Sequence, residues 1–345
     1  MTARLVESTR SGLVDAVHRG DLAVVSHDGK QLAAAGEPHR KVAYWRSSAK
    51  PFQAMPLLAT PAGRALGLSG EEIALISSSH GGEPVHVELA ASLLEHTGHR
   101  VEELACGVHA PLDRAAADAL LRRGEHPTAL HHNCSGKHAG MLALADALGV
   151  PSVGYRAPAH PVQRAVLQTV AQFTGLGPDA IELGLDGCGV PTFGITVYRM
   201  ALAYARLMQP PADTPGPLRD AAERVRDSMM AHPYLVAGHE QLDTVLMQVL
   251  PGAVLSKSGA GGIQCVGLPE GIGLAVKIED GAGSAAPGGP AGVAALAALR
   301  RLGVLDDDAW TTLEPHAEPA VRSVAGELAG TVRATFALER PTSGG

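Results

Sequence analysis

The stretch Ser47-Ser48-Ala49-Lys50 decides how this sequence is interpreted, because it reads Ser-x-x-Lys. A second short motif, Lys257-Ser258-Gly259, reads Lys-Ser-Gly near the other end of the chain. Together they are two of the three signatures of acyl-transfer enzymes in which a serine is the nucleophile and a lysine takes the place of histidine. The pair of motifs predicts an amide hydrolase.

The spacing of Ser47 and Lys50 supports this prediction. If a helix begins at Ser47, the two side chains lie on one face, where the amine can accept the hydroxyl proton. Pro51 agrees with a helix start here, since proline is tolerated in a first helical turn. A free lysine has a pKa of about 10.4 and a useful general base one of roughly 7 to 8, so such a pair needs surroundings that disfavour the ammonium. Burial among apolar residues such as Phe52, with Lys257 as a second cation, is expected to provide them.

Composition excludes several other classes of protein. Hydrophobic residues make up 46% of the 345 residues and charged residues 18%, as in globular proteins. The net charge of −7 argues against nucleic-acid and anionic-membrane partners. No run approaches the roughly 18 apolar residues of a membrane span, and the first 25 residues carry charges where a signal peptide needs an apolar core. Four cysteines without tight spacing fit a reduced compartment, so we expect a cytoplasmic protein.

The order of patterns along the chain predicts the fold. Asp28-Gly29 between two β-prone runs, 21–25 and 31–34, indicates an antiparallel hairpin. From about residue 48 to about 250 the periodicity is mostly helical, including a helix over 192–207. Strand patterns then return at 253–256, 263–268, 271–277 and 331–338, with a helix over 291–302 before the last of them.

These patterns predict an α/β (α+β) fold in which both chain ends build an antiparallel sheet and a helical lobe is inserted between them. We expect one unit over residues 1–345, with a sheet lobe at about 1–60 and 250–340 and a helical lobe at about 61–249.

Three further segments carry polar residues that chemistry could use. The run Ser77-Ser78-Ser79-His80 before two glycines is either a polar turn or a loop with hydroxyls facing a cleft. Cys134 opens a helix on which Lys137 and His138 share its face, and a helix N-terminus favours a thiolate. From chemistry alone a buried, inert Cys134 is the preferred interpretation. The turn Asp186-Gly187-Cys188-Gly189 suits a backbone that lies close to a ligand.

Longer segments resemble those of the rhizobial-type asparaginases. They cover residues 46–51, 133–141 and 186–193, with shorter matches at 232–238, 243–244 and 277–281. The likeness runs from about residue 5 to about residue 338. It implies hydrolysis of L-asparagine to aspartate and ammonia, on a fold similar to serine β-lactamases and glutaminases, in a protein that is commonly a homodimer.

Carried over residue by residue, the resemblance makes Ser47 and Lys50 one serine-lysine pair and Ser79 and Lys257 a second. We expect Ser47 to attack the side-chain amide and form an acyl-enzyme, with Ser79 and Lys257 relaying protons. The sequence leaves Ser79 open as the alternative nucleophile.

The resemblance also implies a zinc site formed by Cys134, Lys137 and Cys188, in which Lys137 would bind as a neutral amine. Four other side chains become candidates for positioning the substrate or the groups around it. They are Arg46, His80, His138 and Asp186.

The chain departs from the family pattern at three positions. Gly261 stands in Gly259-Ala260-Gly261-Gly262 where the family usually has a glutamate, and Gln241 and Ser284 stand where arginines are expected. The missing carboxylate leaves the choice between asparagine and glutamine open.

Two rival functions follow from the same residues. A penicillin-recognising hydrolase shares both lysine motifs but expects a Ser-x-Asn or Tyr-x-Asn triplet, which this chain lacks. A non-catalytic zinc- or amino-acid-binding relative is supported by Gly261. The presence of both serine-lysine pairs opposes it.

Overall fold

The computed structural model describes residues 1–283 and 288–340, so Ser284 lies outside the described residues. The chain forms two compact units. The first unit comprises Met1–Ser48, Gly194–Pro211 and the chain from Glu240 onward. The second comprises Ala49–Phe193 and Ala212–His239.

The strands of the described ranges are β1 (Ala3–Arg10), β2 (Leu13–Ser26), β3 (Gln31–Ala35), β4 (Val42–Tyr44), β5 (Glu182–Leu185), β6 (Pro191–Thr196), β7 (Leu255–Gly259), β8 (Ile263–Leu268), β9 (Ile272–Ile278), β10 (Ala320–Arg322) and β11 (Leu328–Ala334). The helices are α1 (Lys50–Ala59), α2 (Pro61–Ala65), α3 (Gly70–Ile76), α4 (Pro84–His96), α5 (Arg114–Arg123), α6 (Ser135–Ala147), α7 (Pro161–Thr174), α8 (Val197–Met208), α9 (Gly216–Ala231), α10 (Pro233–Ala237), α11 (Leu242–Val249), α12 (Pro290–Arg301) and α13 (Asp307–Ala317).

The main sheet of the first unit joins the two ends of the chain. Its order is β10-β11-β1-β2-β9-β8-β7, and β3 pairs with β2. The pairing is antiparallel throughout this path, and at its centre Val24 of β2 lies opposite Leu274 of β9. The α+β class with an antiparallel sheet built from both chain ends is therefore confirmed.

Helices α8 and α12 cover the two faces of this sheet. Val24 and Leu274 belong to the apolar core that includes Leu296 of α12. Residues next to them along a strand point to the other face. There Gly273 lets α8 approach the sheet, since a Cβ at this position would lie 1.9 Å from the carbonyl oxygen of Ala201.

The helix predicted over 192–207 is wrong in its first part. Residues Pro191–Thr196 form β6, and the last three of them pair with β4. This segment, Pro-Thr-Phe-Gly-Ile-Thr, contains β-branched and aromatic residues that favour a pleated strand. The helix then begins at Val197, where the Thr196 hydroxyl accepts a hydrogen bond from the backbone N–H of Arg199.

The second unit is built around α1. This helix is buried from Lys50 to Leu58 and packs against α6, α7 and α9. A 3₁₀ helix, Arg46–Ala49, runs directly into α1, so the helical start predicted at Ser47 occurs as a tighter first turn. Among the described residues, no helix has both the length and the apolar character needed to cross a membrane.

Candidate active site

Lys50 is a buried amine in contact with a serine hydroxyl. Its side chain is 0% exposed at the first position of α1. The Nζ atom donates to Ser79 Oγ at 2.8 Å, to the Asn133 carbonyl at 3.1 Å and to the Ser78 carbonyl. These three acceptors are uncharged. Within the second unit, the structure thus places a serine directly against a lysine that could take its proton.

The loop that carries Ser79 follows the end of α3 at Ile76. Ser77 and Ser78 are buried, whereas Ser79 is half-buried. The backbone N–H of Ser79 donates to the carbonyl of Val236 in α10 at 2.9 Å. The loop is therefore fixed from both sides, through the Ser79 hydroxyl by Lys50 and through its backbone by α10.

His80 is a neutral link between this loop and α6. Its Nδ1 accepts from the backbone N–H of Gly82 at 3.2 Å, so the neutral ring carries its proton on Nε2, which donates to Ser135 Oγ at 2.9 Å. Burial, together with nearby His86 and Lys50, holds the pKa of His80 well below its ordinary value. His80 thus supports the loop as a hydrogen-bonded, uncharged side chain.

Cys134, Lys137 and Cys188 form one buried group. Lys137 Nζ lies 2.9 Å from Cys188 Sγ, and the Cys134 and Cys188 thiols interact. The hydrogen bond from Cys188 and the charges of Lys50 and Lys137 outweigh burial and hold the pKa of Cys134 well below its ordinary value. The same hydrogen bond and burial raise the pKa of Cys188. Burial opposes the charge of Lys137, but the two sulfurs raise its pKa overall.

The donor atoms of Cys134, Cys188 and Lys137 suit zinc, although a lysine amine is an unusual zinc ligand. Among residues 1–283 and 288–340, no set of three or more His, Cys, Asp and Glu side chains is placed to hold a metal. Two sulfurs and an amine are donor types that zinc accepts. A metal here would use Cys134 and Cys188 with Lys137 as the third ligand, and Lys137 would first have to lose its proton.

His138 and Asp186 border the sulfur group. His138 Nδ1 lies 2.6 Å from the Tyr155 hydroxyl, and burial and the charge of Lys137 hold its pKa well below the ordinary value. Asp186 opens the turn that leads to Cys188, and its Oδ1 accepts from the Gly187 N–H at 2.9 Å. Its negative charge helps to keep Lys137 protonated.

Lys257 is the second buried lysine, and it lies in the first unit. It is 0% exposed on β7 and forms an ion pair with Asp243 at 3.5 Å. The Asp243 carboxylate also accepts from the N–H and hydroxyl of Ser258, both at 2.7 Å, and from Ser256 Oγ and Gln264 Nε2, both at 2.8 Å. Burial would raise the pKa of Asp243, but Lys257 and these hydrogen bonds outweigh it and lower the pKa. Asp243 is therefore the anionic partner of Lys257.

Asp243 lies in one of the family-like segments, but no role was predicted for it from the sequence. The feature that could have indicated its role is the position of an acidic residue at the second position of α11. The other buried positions of this helix include Leu242, Leu246 and Met247. A buried carboxylate needs a cation or several donors. An acidic residue in such an apolar helix could have been paired with one of the two motif lysines.

Arg46 and Ser47 lie on the 3₁₀ helix Arg46–Ala49, in the part of it that belongs to the first unit. Arg46 has a φ of 53°, a conformation that few residues other than glycine adopt. Ser47 is half-buried. The predicted pairs Ser47 with Lys50 and Ser79 with Lys257 each join residues of the two units and stay predictions.

Two of the positions that depart from the family pattern, Gly261 and Gln241, lie among the described residues of the first unit. Gly261 has a φ of 78°, and its carbonyl accepts from Lys277 Nζ at 2.8 Å. Gln241 is the N-cap residue of α11, two positions before Asp243.

Comparisons with known proteins identify one family. The sequence model of the L-asparaginase II family matches residues 6–334. No curated protein matches the chain at a significant level.

Two solved structures show a weak likeness. A crystal structure of Mglu in its tris and glutamate form is 18% identical with a TM-score of 0.39 and covers 92% of this chain. A crystal structure of Mglu in its native form is 16% identical with a TM-score of 0.36 and covers 85% of this chain. This chain spans 64% and 66% of the lengths of those two chains, which is less than two thirds.

Proposed function

The chain belongs to the L-asparaginase II family, and from this membership we propose that it hydrolyses L-asparagine to L-aspartate and ammonia. The family supports an amidohydrolase. The substrate and the serine acyl-enzyme are our proposal, and one observation carries them. It is the 2.8 Å hydrogen bond from the buried Lys50 Nζ to the half-buried Ser79 Oγ, which places a serine hydroxyl beside a possible base.

In the proposed first half-reaction, Ser47 Oγ forms a bond to the amide carbon and its proton passes to Lys50. The C–N bond then breaks. Lys50 returns a proton through the Ser79 hydroxyl to the leaving nitrogen, which departs as ammonia. The Ser79 hydroxyl is already hydrogen-bonded to Lys50, which suits it to pass this proton.

In the second half-reaction, water attacks the ester carbon and gives a proton to Lys50. The ester C–O bond breaks, Ser47 Oγ regains the proton, and aspartate leaves. Lys257 is proposed to relay protons together with Ser79. Its ion pair with Asp243 favours the protonated amine as the resting state.

We also propose that zinc is held by Cys134, Cys188 and neutral Lys137. Zinc bound there would act as a Lewis acid on an oxygen of the substrate or of water. Elemental analysis of the purified protein, with Cys134→Ser as the matched variant, tests this. About one zinc per chain that falls in the variant supports the proposal. A metal-free preparation with full activity rejects it.

The function is tested by ammonia release from asparagine and glutamine and by hydrolysis of a β-lactam. Turnover of asparagine above the other two supports the proposal. Preferential turnover of glutamine or the β-lactam would show a glutaminase or a penicillin-recognising hydrolase. Binding without turnover would show the non-catalytic relative.

Mass spectrometry of acid-quenched enzyme tests the nucleophile. An adduct of one acyl group on Ser47 that disappears in Ser47→Ala supports the assignment. An adduct on Ser79 in active enzyme would make Ser79 the nucleophile.

The homodimer and the cytoplasmic location are likewise proposals. Analytical ultracentrifugation tests the first, with a mass of twice 35.4 kDa as the expected result.

A further inference from the structure

A buried carboxylate beside the Ser79 loop contacts the segment that holds Ser79 in place. Glu83 precedes α4 and is 9% exposed. One of its oxygens, Oε1, accepts from the backbone N–H of His239 at 3.1 Å, and Oε2 accepts from the Tyr234 hydroxyl. Both partners flank the short helix α10, Pro233–Ala237, or belong to it. The carboxylate therefore joins the two ends of α10 to the start of α4.

Gly238, which follows α10, lets this contact form. Its φ is 104°, and a Cβ built on it would lie 2.4 Å from Glu83 Oε1. No side chain other than hydrogen fits between the chain and the carboxylate here. The backbone after α10 thus lies directly against Glu83.

Tyr234 is held a second time by His86, three residues after Glu83 on the same turn of α4. The His86 Nε2 atom donates to the Tyr234 carbonyl at 3.1 Å. The rings of Tyr234 and His86 stack with centroids 5.8 Å apart and planes 2° apart, and His86 stacks on His80 at 5.0 Å. The first turn of α4 thereby fixes the hydroxyl, the ring and the backbone of Tyr234.

The position of Tyr234 matters because Val236, two residues further along α10, contacts Ser79. The carbonyl of Val236 accepts from the backbone N–H of Ser79 at 2.9 Å. A shift of α10 would move this acceptor and with it the Ser79 hydroxyl, which has to stay within hydrogen-bond reach of Lys50.

We propose that Glu83 and Tyr234 are positioning residues for Ser79. The hydrogen bond between Glu83 and Tyr234 fixes the position of α10 and therefore of the Val236 carbonyl. This carbonyl in turn holds Ser79 within hydrogen-bond distance of Lys50. The inference rests on the proposed function, because it concerns the serine that passes protons in that reaction.

Tyr234→Phe tests the proposal by removing only the hydroxyl and keeping the ring stack. The matched control is Tyr198→Phe, since the half-buried Tyr198 also donates its hydroxyl to an acceptor, the Gly29 carbonyl at 2.6 Å. We expect kcat to fall about tenfold in Tyr234→Phe with KM within about twofold of wild type, and the control to keep kcat. Glu83→Gln should act on the same contact, so the double variant should be no slower than the slower single variant. An unchanged kcat in Tyr234→Phe, or additive losses, would overturn the proposal.

Hydrogen–deuterium exchange of the Ser79 amide gives a readout that does not depend on turnover. Exchange should be about tenfold faster in Tyr234→Phe than in wild type and unchanged in Tyr198→Phe. Unchanged exchange in Tyr234→Phe refutes the positioning role whatever the activity. Faster exchange in Tyr234→Phe, combined with a wild-type protein that hydrolyses no amide, would instead reject the proposed function and keep the structural link.

Discussion

The two buried lysines, Lys50 and Lys257, differ in what surrounds their charge. Both are 0% exposed. The oxygens of Ser78, Ser79 and Asn133 that accept from Lys50 are uncharged, whereas Lys257 lies against the Asp243 carboxylate. A carboxylate stabilises an ammonium more strongly than a carbonyl or hydroxyl does. Asp243 therefore favours the charged form of Lys257, and Lys50, whose charge also acts on the Cys134 thiol, is the lysine that we propose as the base.

The largest effect should come from Lys50→Met. This change removes the proposed base, and we expect kcat to fall by about 10³-fold or more. Ammonia release measures it. Lys30→Met, at an exposed position, is the matched control and should keep wild-type turnover. Residual activity within tenfold of wild type would show that Lys50 is not the base. The two buried lysines would then not differ in the way proposed.

Lys257→Met should act mainly on stability. It leaves the Asp243 carboxylate buried without its cation, which typically costs about 3–5 kcal/mol of unfolding free energy. Chemical denaturation followed by circular dichroism measures the loss.

The double variant Lys257→Met/Asp243→Asn tests whether the loss of stability comes from the unpaired Asp243 carboxylate. It removes the buried charge as well, so it should be more stable than Lys257→Met alone. Equal or lower stability of the double variant would contradict the ion pair as the main role of Lys257.

The pH dependence of stability should distinguish the buried histidines beside Ser79 from Asp243. Burial holds the pKa values of His80 and His86 below their ordinary value, so below about pH 6.5 the unfolded chain binds more protons than the folded one. The unfolding free energy should therefore fall as pH decreases from about 6.5, by up to about 1.4 kcal/mol per pH unit for each group. Asp243, with its lowered pKa, stabilises the fold above about pH 4 and loses this effect only in stronger acid.

Denaturant titrations between pH 7.5 and 5 test this assignment. His86→Gln should flatten the slope, and Asp243→Asn should leave it unchanged in this range. A flatter slope in Asp243→Asn would show that Asp243 contributes to the acid sensitivity in this range and would contradict the assignment to His86.

The smallest effect should come from Ser258→Ala, which removes one of several hydrogen bonds to Asp243. A hydrogen bond to a charged group contributes about 1.5–3 kcal/mol, and we expect the lower end because Ser258 is half-buried and its N–H still donates. Thermal unfolding measures the change. Ser258→Thr keeps a hydroxyl on a residue suited to a strand, so it should recover most of the loss. A Ser258→Ala protein as stable as wild type would show that the remaining hydrogen-bond donors are sufficient to stabilise the Asp243 carboxylate.

Much of the fold could be predicted from local patterns. The hairpin around Asp28-Gly29 forms between β2 and β3, strand β8 covers Ile263–Leu268 as predicted, and α12 covers Pro290–Arg301. Each of these has a strong turn signal or a clear periodicity. The strand β6 was mistaken for helix because its apolar run merges into α8 without a turn residue, so periodicity alone could not place the boundary.

Fewer features of the candidate site could be predicted from the sequence. The Ser-x-x-Lys motif identified Lys50, and the resemblance identified Ser79, but not their contact, which joins residues 29 apart in the sequence. The roles of Asp243 and Tyr234 were not predicted, for a related reason. Their roles depend on partners brought close by tertiary packing, and a single sequence carries no local signal for such pairing.

The pairing of β2 with β9 also constrains how the chain reaches its native state. Val24 meets Leu274 only after most of the polypeptide has left the ribosome, so the centre of the sheet closes late. Such long-range closure slows folding, and until it happens the apolar segment 22–25 of β2 offers an open edge to other chains. Refolding yield should therefore fall with protein concentration, because self-association competes with the arrival of the C-terminal strands.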